Sequence, residues 1–148
     1  MLRAILAVIV GYLAMAVTVF ATFTGAYLIL GSAGSFKPGS YEVSGTWLVL
    51  SLVLSLAAAL VGGLVCRAIA RSPRPVVALA GVVLVLGALS AVPILLRAGE
   101  PPEPRTGDVS NIEAMNRARQ PVWVALTLPL VGAAGVLVAG RGRSAEPT

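Results

Sequence analysis

Few residues in this chain have side chains that do chemistry, and where they stand says more than how many there are. Histidine is absent, cysteine occurs once as Cys66, and lysine once as Lys37. A Ser/His/Asp or Cys/His nucleophile therefore has no imidazole base. A Ser–Lys version would depend on Lys37, which stands in a connecting segment. Zinc, haem and iron–sulfur clusters lose their usual ligands. A single cysteine makes no internal disulfide, and Cys66, near the end of an apolar run, reads as an inert small residue. The expectation is a protein that is not an enzyme and that holds no metal or cofactor.

The spacing that does stand out belongs to small residues. Ser51, Ser55, Ala59 and Gly63 recur every fourth position, and so do Ala14, Thr18, Thr22 and Ala26, with Gly11 beside them. Ala125, Pro129 and Ala133 repeat the interval, flanked by Gly132 and Gly135. Residues i and i+4 share a helix face. Small side chains there let backbones approach, and hydroxyls add hydrogen bonds worth roughly 0.6–2 kcal/mol each within a bilayer. Ser51, Ser55, Ala59, Gly63, Ala14, Thr18 and Thr22 are thus the candidate functional residues, and their function is helix packing. In a chain rich in Ala and Gly some such stripes also arise by composition alone.

The elements carrying these stripes are four uncharged runs, 4–30, 43–66, 75–96 and 120–140. A helix crosses a hydrocarbon core of ~30 Å with about 20 apolar residues, and all four runs are long enough. Strand-like alternation is missing. Of the 148 residues, 57% are hydrophobic and 11% charged, with mean hydropathy +0.93, whereas a soluble domain carries about 25% charged residues. The fold class is all-α: a single integral membrane domain, a bundle of four transmembrane helices. The first run is far longer than the apolar core of a signal peptide and ends in no small-x-small cleavage site, so a retained span is expected.

Punctuation agrees. Outer loops are expected at 31–42 and 97–119, an inner loop at 67–74 and a cytoplasmic tail at 141–148. Pro38-Gly39 is a type II turn signal, Ser44 a cap for the second span, and Pro75 suits the first turn of the third. Pro101, Pro102 and Pro104 favour an extended chain. Ser110-Asn111-Ile112-Glu113 reads as a capping box. Asn111 to Arg119 is then either a short helix lying on the membrane surface or a polar loop, with Pro121 ending it. The short 67–74 connection makes the second and third spans antiparallel neighbours. Pro93 and Pro129 interrupt the backbone ladder of their helices and read as static kinks.

The net charge of +5 and pI of about 10.4 do not imply nucleic acid, because the basic residues flank apolar runs singly or in threes. Arg3, Arg67, Arg71, Arg74, Arg141 and Arg143 lie in short segments at span ends. Lys37, Arg97, Arg105, Arg117 and Arg119 share longer loops with Glu42, Glu100, Glu103, Asp108 and Glu113. The positive-inside rule then places both termini in the cytoplasm. Trp47 and Trp123 fall at the outer interface, with Tyr27, Phe36 and Tyr41 near the same level. Arg67, Arg71 and Arg74 also face the level of anionic lipid heads.

The segments Gly11-Tyr12-Leu13, 36–42 (Phe-Lys-Pro-Gly-Ser-Tyr-Glu) and 120–125 (Gln-Pro-Val-Trp-Val-Ala) resemble those of small bacterial inner-membrane proteins of four helices that carry no assigned function. The resemblance is architectural and implies no site residue.

No span contains Asp, Glu, Lys or Arg. Intramembrane charge is the best pointer to ion or proton movement, and its absence favours a structural or accessory protein acting through helix–helix contacts. Its partners are the lipid bilayer and either further copies or a larger membrane complex. The alternative is a small oligomeric channel or transporter for a neutral or small solute, using Thr18, Thr22, Ser51, Ser55 and Thr127.

Overall fold

A computed structural model describes residues 1–101 and 103–141; Pro102, Arg143 and the expected tail beyond 141 lie outside them. The described chain forms five helices: α1 (Leu2–Ser35), α2 (Gly45–Ala70), α3 (Arg74–Leu96), the short α4 (Asn111–Arg117) and α5 (Val122–Gly140). Four of them, α1, α2, α3 and α5, are long and apolar enough to cross a membrane. Their outward faces carry large apolar side chains such as Val17, Ile29, Val49, Leu89 and Val138, each at least 60% exposed. Such surface needs lipid as its solvent.

Helix ends depart from the sequence expectation in ways with local causes. α1 continues past residue 30, interrupted only at Gly31, whose φ of 64° redirects the chain. That conformation favours glycine because it lacks Cβ. One further turn follows, and its Ser32 and Ser35 are buried. The expected outer loop therefore starts at Phe36, not at 31. α2 starts at Gly45, after Ser44, whose hydroxyl accepts from the Trp47 N–H at 3.1 Å. Val43 is instead drawn into pairing with Phe36. At its far end α2 runs on to Ala70, where Arg71 in the left-handed region (φ 54°) closes it with an N–H to the Arg67 carbonyl at 2.9 Å. Only residues 71–73 are left between α2 and α3, and Pro75 takes its place in the first turn of α3.

The order of packing corrects one expectation. α2 lies chiefly against α1 on one side and α5 on the other, and α5 lies against α3. The last span thus inserts between α2 and α3, which were expected to be direct neighbours. The reason is a set of notches. Gly63 of α2 faces α5, where an added Cβ would fall 2.9 Å from the Ala139 Cβ. Gly87 of α3 receives Pro129 of α5, and a Cβ there would stand 2.6 Å from the proline ring. Dispersion between closely fitted surfaces is the main force joining helices in lipid, so the helix that fits both notches takes the central place.

Gly62, one residue earlier, points about 100° away around α2 and faces α1. An added Cβ would lie 2.9 Å from both the Gly11 carbonyl and the Met15 Cβ. The adjacent glycines Gly62 and Gly63 therefore seat two different helices. Around them Ala7, Ala59, Cys66, Leu79, Val83, Ala133 and Val136 form the buried core. At the end where α1 begins, the Arg3 guanidinium donates to the Ile69 carbonyl of α2 at 2.7 Å, satisfying an acceptor that the helix C-terminus leaves open.

Candidate functional site

The packing candidates fall in three places. Ala59 and Gly63 are buried between α2 and α5, where a Cβ on Gly135 would come within 2.8 Å of the Ala59 Cβ. Ser51 is 5% exposed, and its hydroxyl donates to the Leu48 carbonyl at 2.8 Å; Ser55 is half-buried. Ala14, Thr18 and Thr22 are half-buried on α1. Thr18 donates to Ala14 and Thr22 to Thr18, at 2.8 and 2.7 Å. Thr127 likewise donates to Trp123 at 2.7 Å. These hydroxyls bond back to the preceding turn of their own helix, as isolated Ser and Thr in helices do.

Beyond the spans, the two long connections fold together into a cap. Pro38 and Gly39 make the expected turn, with Gly39 at φ 69° and the Ser40 N–H reaching the Lys37 carbonyl at 3.3 Å. The turn presents short extended pieces to the second connection. The Arg119 N–H donates to the Tyr41 carbonyl at 2.9 Å, and the Val43 N–H to the Arg119 carbonyl at 3.0 Å. Arg105 N–H donates to the Gly39 carbonyl at 2.9 Å. The Ser110 half of the expected capping box is formed at α4, its hydroxyl accepting from the Glu113 N–H at 3.3 Å, while the Glu113 carboxylate turns instead to Tyr41. Residues 111–117 are thus helical, and the polar-loop alternative does not hold for them. α4 turns Ala114 inward and leaves Ile112 and Met115 exposed.

The cap has its own core of Tyr27, Phe36, Tyr41, Val43 and Ala114, packed on Trp47 and Leu48. Trp47 meets Phe23 and Tyr27 edge to face, with centroids 5.9 and 6.3 Å apart, and Phe36 meets Tyr41 in the same way at 5.8 Å. Such pairs add about 0.5–1.5 kcal/mol beyond the area they bury. The aromatics expected at the interface thus include a cemented joint between bundle and cap.

Polar bonds cross the same joint. The Tyr27 hydroxyl donates to the Val109 carbonyl at 2.6 Å, the Ser32 hydroxyl donates to Asp108, and Ser44 donates to the Gly34 carbonyl at 2.6 Å. Asn111 donates to Thr24 Oγ1 at 3.3 Å. The Tyr41 hydroxyl donates to Glu113 Oε1 at 2.7 Å, and the Arg117 guanidinium lies over the Tyr41 ring, 5.5 Å from its centroid. The carboxylate acceptor holds the phenol in its protonated form, so the Tyr41 pKa lies above its ordinary value; burial adds to the shift, and Arg117 opposes it.

Beside this joint lies a cleft of about 650 Å³ between the end of α3, residues 97–100 and 103, the end of α4 and the start of α5. Its lining mixes apolar residues, Pro93, Ile94 and Val122 among them, with charged ones. Lys37 pairs with Glu42 at 2.8 Å and Arg119 with Glu100 at 3.1 Å, while Arg117 reaches Glu103 at 3.7 Å. Arg97 also lines the cleft and makes no ion pair among the described residues. Among those residues no group of three His, Cys, Asp or Glu is placed to hold a metal.

Sequence reasoning placed Tyr41 at the interface, Glu113 in a helix cap and Arg97 and Asp108 among the loop charges, but it did not pair Tyr41 with Glu113 or Ser32 with Asp108, or set Arg97 beside a cleft. The capping box at Ser110 and the turn at Gly39 were the available signals, and neither tells which loop meets which.

Together these features define a multi-pass α-helical membrane protein whose four-helix bundle carries a folded cap at one end. No family model, no curated protein and no solved structure matches the chain.

Proposed function

We propose that the protein is a structural or accessory membrane protein, anchored by four spans, that works through contacts with other membrane proteins and carries no catalytic or transport step. The arginine placement orients it with both termini in the cytoplasm and the cap on the outer side of a bacterial inner membrane.

The observation that supports this reading is that most of the spans' notches and hydroxyls are used within the chain, with Ser55, Gly25 and Gly81 as exceptions. Gly62 and Gly63 seat α1 and α5, Gly87 seats Pro129, and Thr18, Thr22, Ser51 and Thr127 bond to their own helices. A solute path needs fixed charges, aligned carbonyls or a water-filled lining to offset several kcal/mol of desolvation. What remains for a partner is the lipid-facing surface of the helices and the cap, where Ile112 and Met115 stand exposed.

Two measurements test the proposal. Purified protein in liposomes under an imposed proton or potassium gradient should give no flux above empty liposomes. A photocrosslinking residue at Ile112, Met115 or Val138 should give one defined adduct in native membranes, either with a second copy or with another membrane protein. Robust flux that disappears in Thr18→Val or Ser55→Ala would overturn the proposal in favour of a channel.

A further inference from the structure

We propose that the seam between α1 and α3, at the end opposite the cap, is the seat of one anionic phospholipid. An acyl chain lies in the seam and the phosphate rests on Arg74.

The packing leaves the seam open. α1 lies mainly on α2 and touches α3 far less. Between them runs a groove of about 370 Å³ lined by Ile5, Val8 and Ile9 of α1 and by Pro75, Ala78 and Arg74 of α3. Apart from Arg74 its walls are apolar. All these residues fall within the first two turns or so of their helices, within about 12 Å of the helix ends at 1.5 Å per residue. That is the depth at which headgroup gives way to acyl chain.

The charge at the mouth has one sign. Every acid among the described residues lies in the cap segments, at Glu42, Glu100, Glu103, Asp108 and Glu113. Arg3, Arg67, Arg71 and Arg141 lie at the same end of the bundle, at the start of α1 and the ends of α2 and α5, and Arg3 is occupied by the Ile69 carbonyl. Arg74 makes no ion pair among the described residues. α3 also starts here, and its N-cap, Pro73, supplies no side-chain acceptor for the first N–H groups of the helix.

These features choose the occupant. Arg74 is exposed beside an otherwise apolar groove, so an occupant with an apolar tail and an anionic head matches both features, whereas an apolar partner helix would bring the guanidinium no counter-charge. A phospholipid fills the apolar groove and brings the phosphate to the guanidinium at the interface.

The test uses full-length protein delipidated in mild detergent, then mixed with phosphatidylglycerol or phosphatidylcholine of the same acyl chains and examined by native mass spectrometry. Wild type should retain one phosphatidylglycerol, with about fivefold preference over phosphatidylcholine, as expected for one arginine at a lipid surface. Arg74→Gln should abolish the preference, whereas Arg97→Gln, at the other end, should not. Ala78→Trp, at an exposed position, should block retention of both lipids while leaving the helical circular dichroism unchanged. Equal retention of both lipids by wild type, or a preference that survives both Arg74→Gln and Ala78→Trp, would overturn the proposal. So would a dimer whose cysteine crosslinks run through Ile5 and Ala78.

Discussion

Gly63 of α2 lies so close to Val136 of α5 that a Cβ added to the glycine would stand 2.5 Å from the Val136 carbonyl oxygen. Backbone cannot retreat as a flexible side chain can, so any larger residue must push the helices apart. Gly63→Leu should therefore lower the midpoint of thermal unfolding in mild detergent, with a loss of stability of about 1–3 kcal/mol or more, as overpacking at a rigid contact costs. Leu60→Ala, a half-buried position off that contact, should cost less. Equal tolerance of both changes would remove Gly63 as the key to the α2–α5 contact.

Tyr41 and Glu113 give a prediction in pH. The phenol is held protonated by the carboxylate, so its folded pKa exceeds the ordinary value of 10.0. A raised pKa favours the protonated group in the fold. The stabilisation is thus complete below pH 10 and is lost as pH rises through the folded value. In an ultraviolet titration of tyrosinate absorbance, the component removed by Tyr41→Phe should titrate later than a free phenol. Glu113→Gln should bring it earlier; an unchanged curve would show that the bond does not hold the phenol.

The hydroxyls of Thr18 and Thr22 donate within α1, so they give little to packing between helices. Thr18→Val and Thr22→Val preserve shape and should change unfolding in detergent by less than about 1 kcal/mol each. A larger loss would mean that the hydroxyls serve a neighbouring helix.

Orientation is open to labelling. In a Cys66→Ala background, Thr106→Cys in the cap should react with a membrane-impermeant thiol reagent added outside intact cells. Ser72→Cys, between α2 and α3, should react only after lysis. The opposite pattern would invert the topology, and outside labelling of both would mean that α3 does not cross the membrane.

The sequence alone determined the membrane class and the number of spans, because both follow from the length of uncharged apolar runs. It also determined local closures: the turn at Pro38-Gly39, the Ser44 cap and the Ser110 cap of α4 each depend on residues within four positions. Tertiary structure decided what depends on distance along the chain. No local signal told that α5 would insert between α2 and α3, since Gly63, Gly87 and Pro129 acquire their meaning only from the surfaces they meet. No local signal told that Tyr41 would find Glu113, or Ser32 find Asp108, across more than 70 positions. The small-residue stripes were visible as periodicity, but periodicity names a face and not its partner. In lipid, that choice rests on the fit between surfaces, and a sequence does not display a fit.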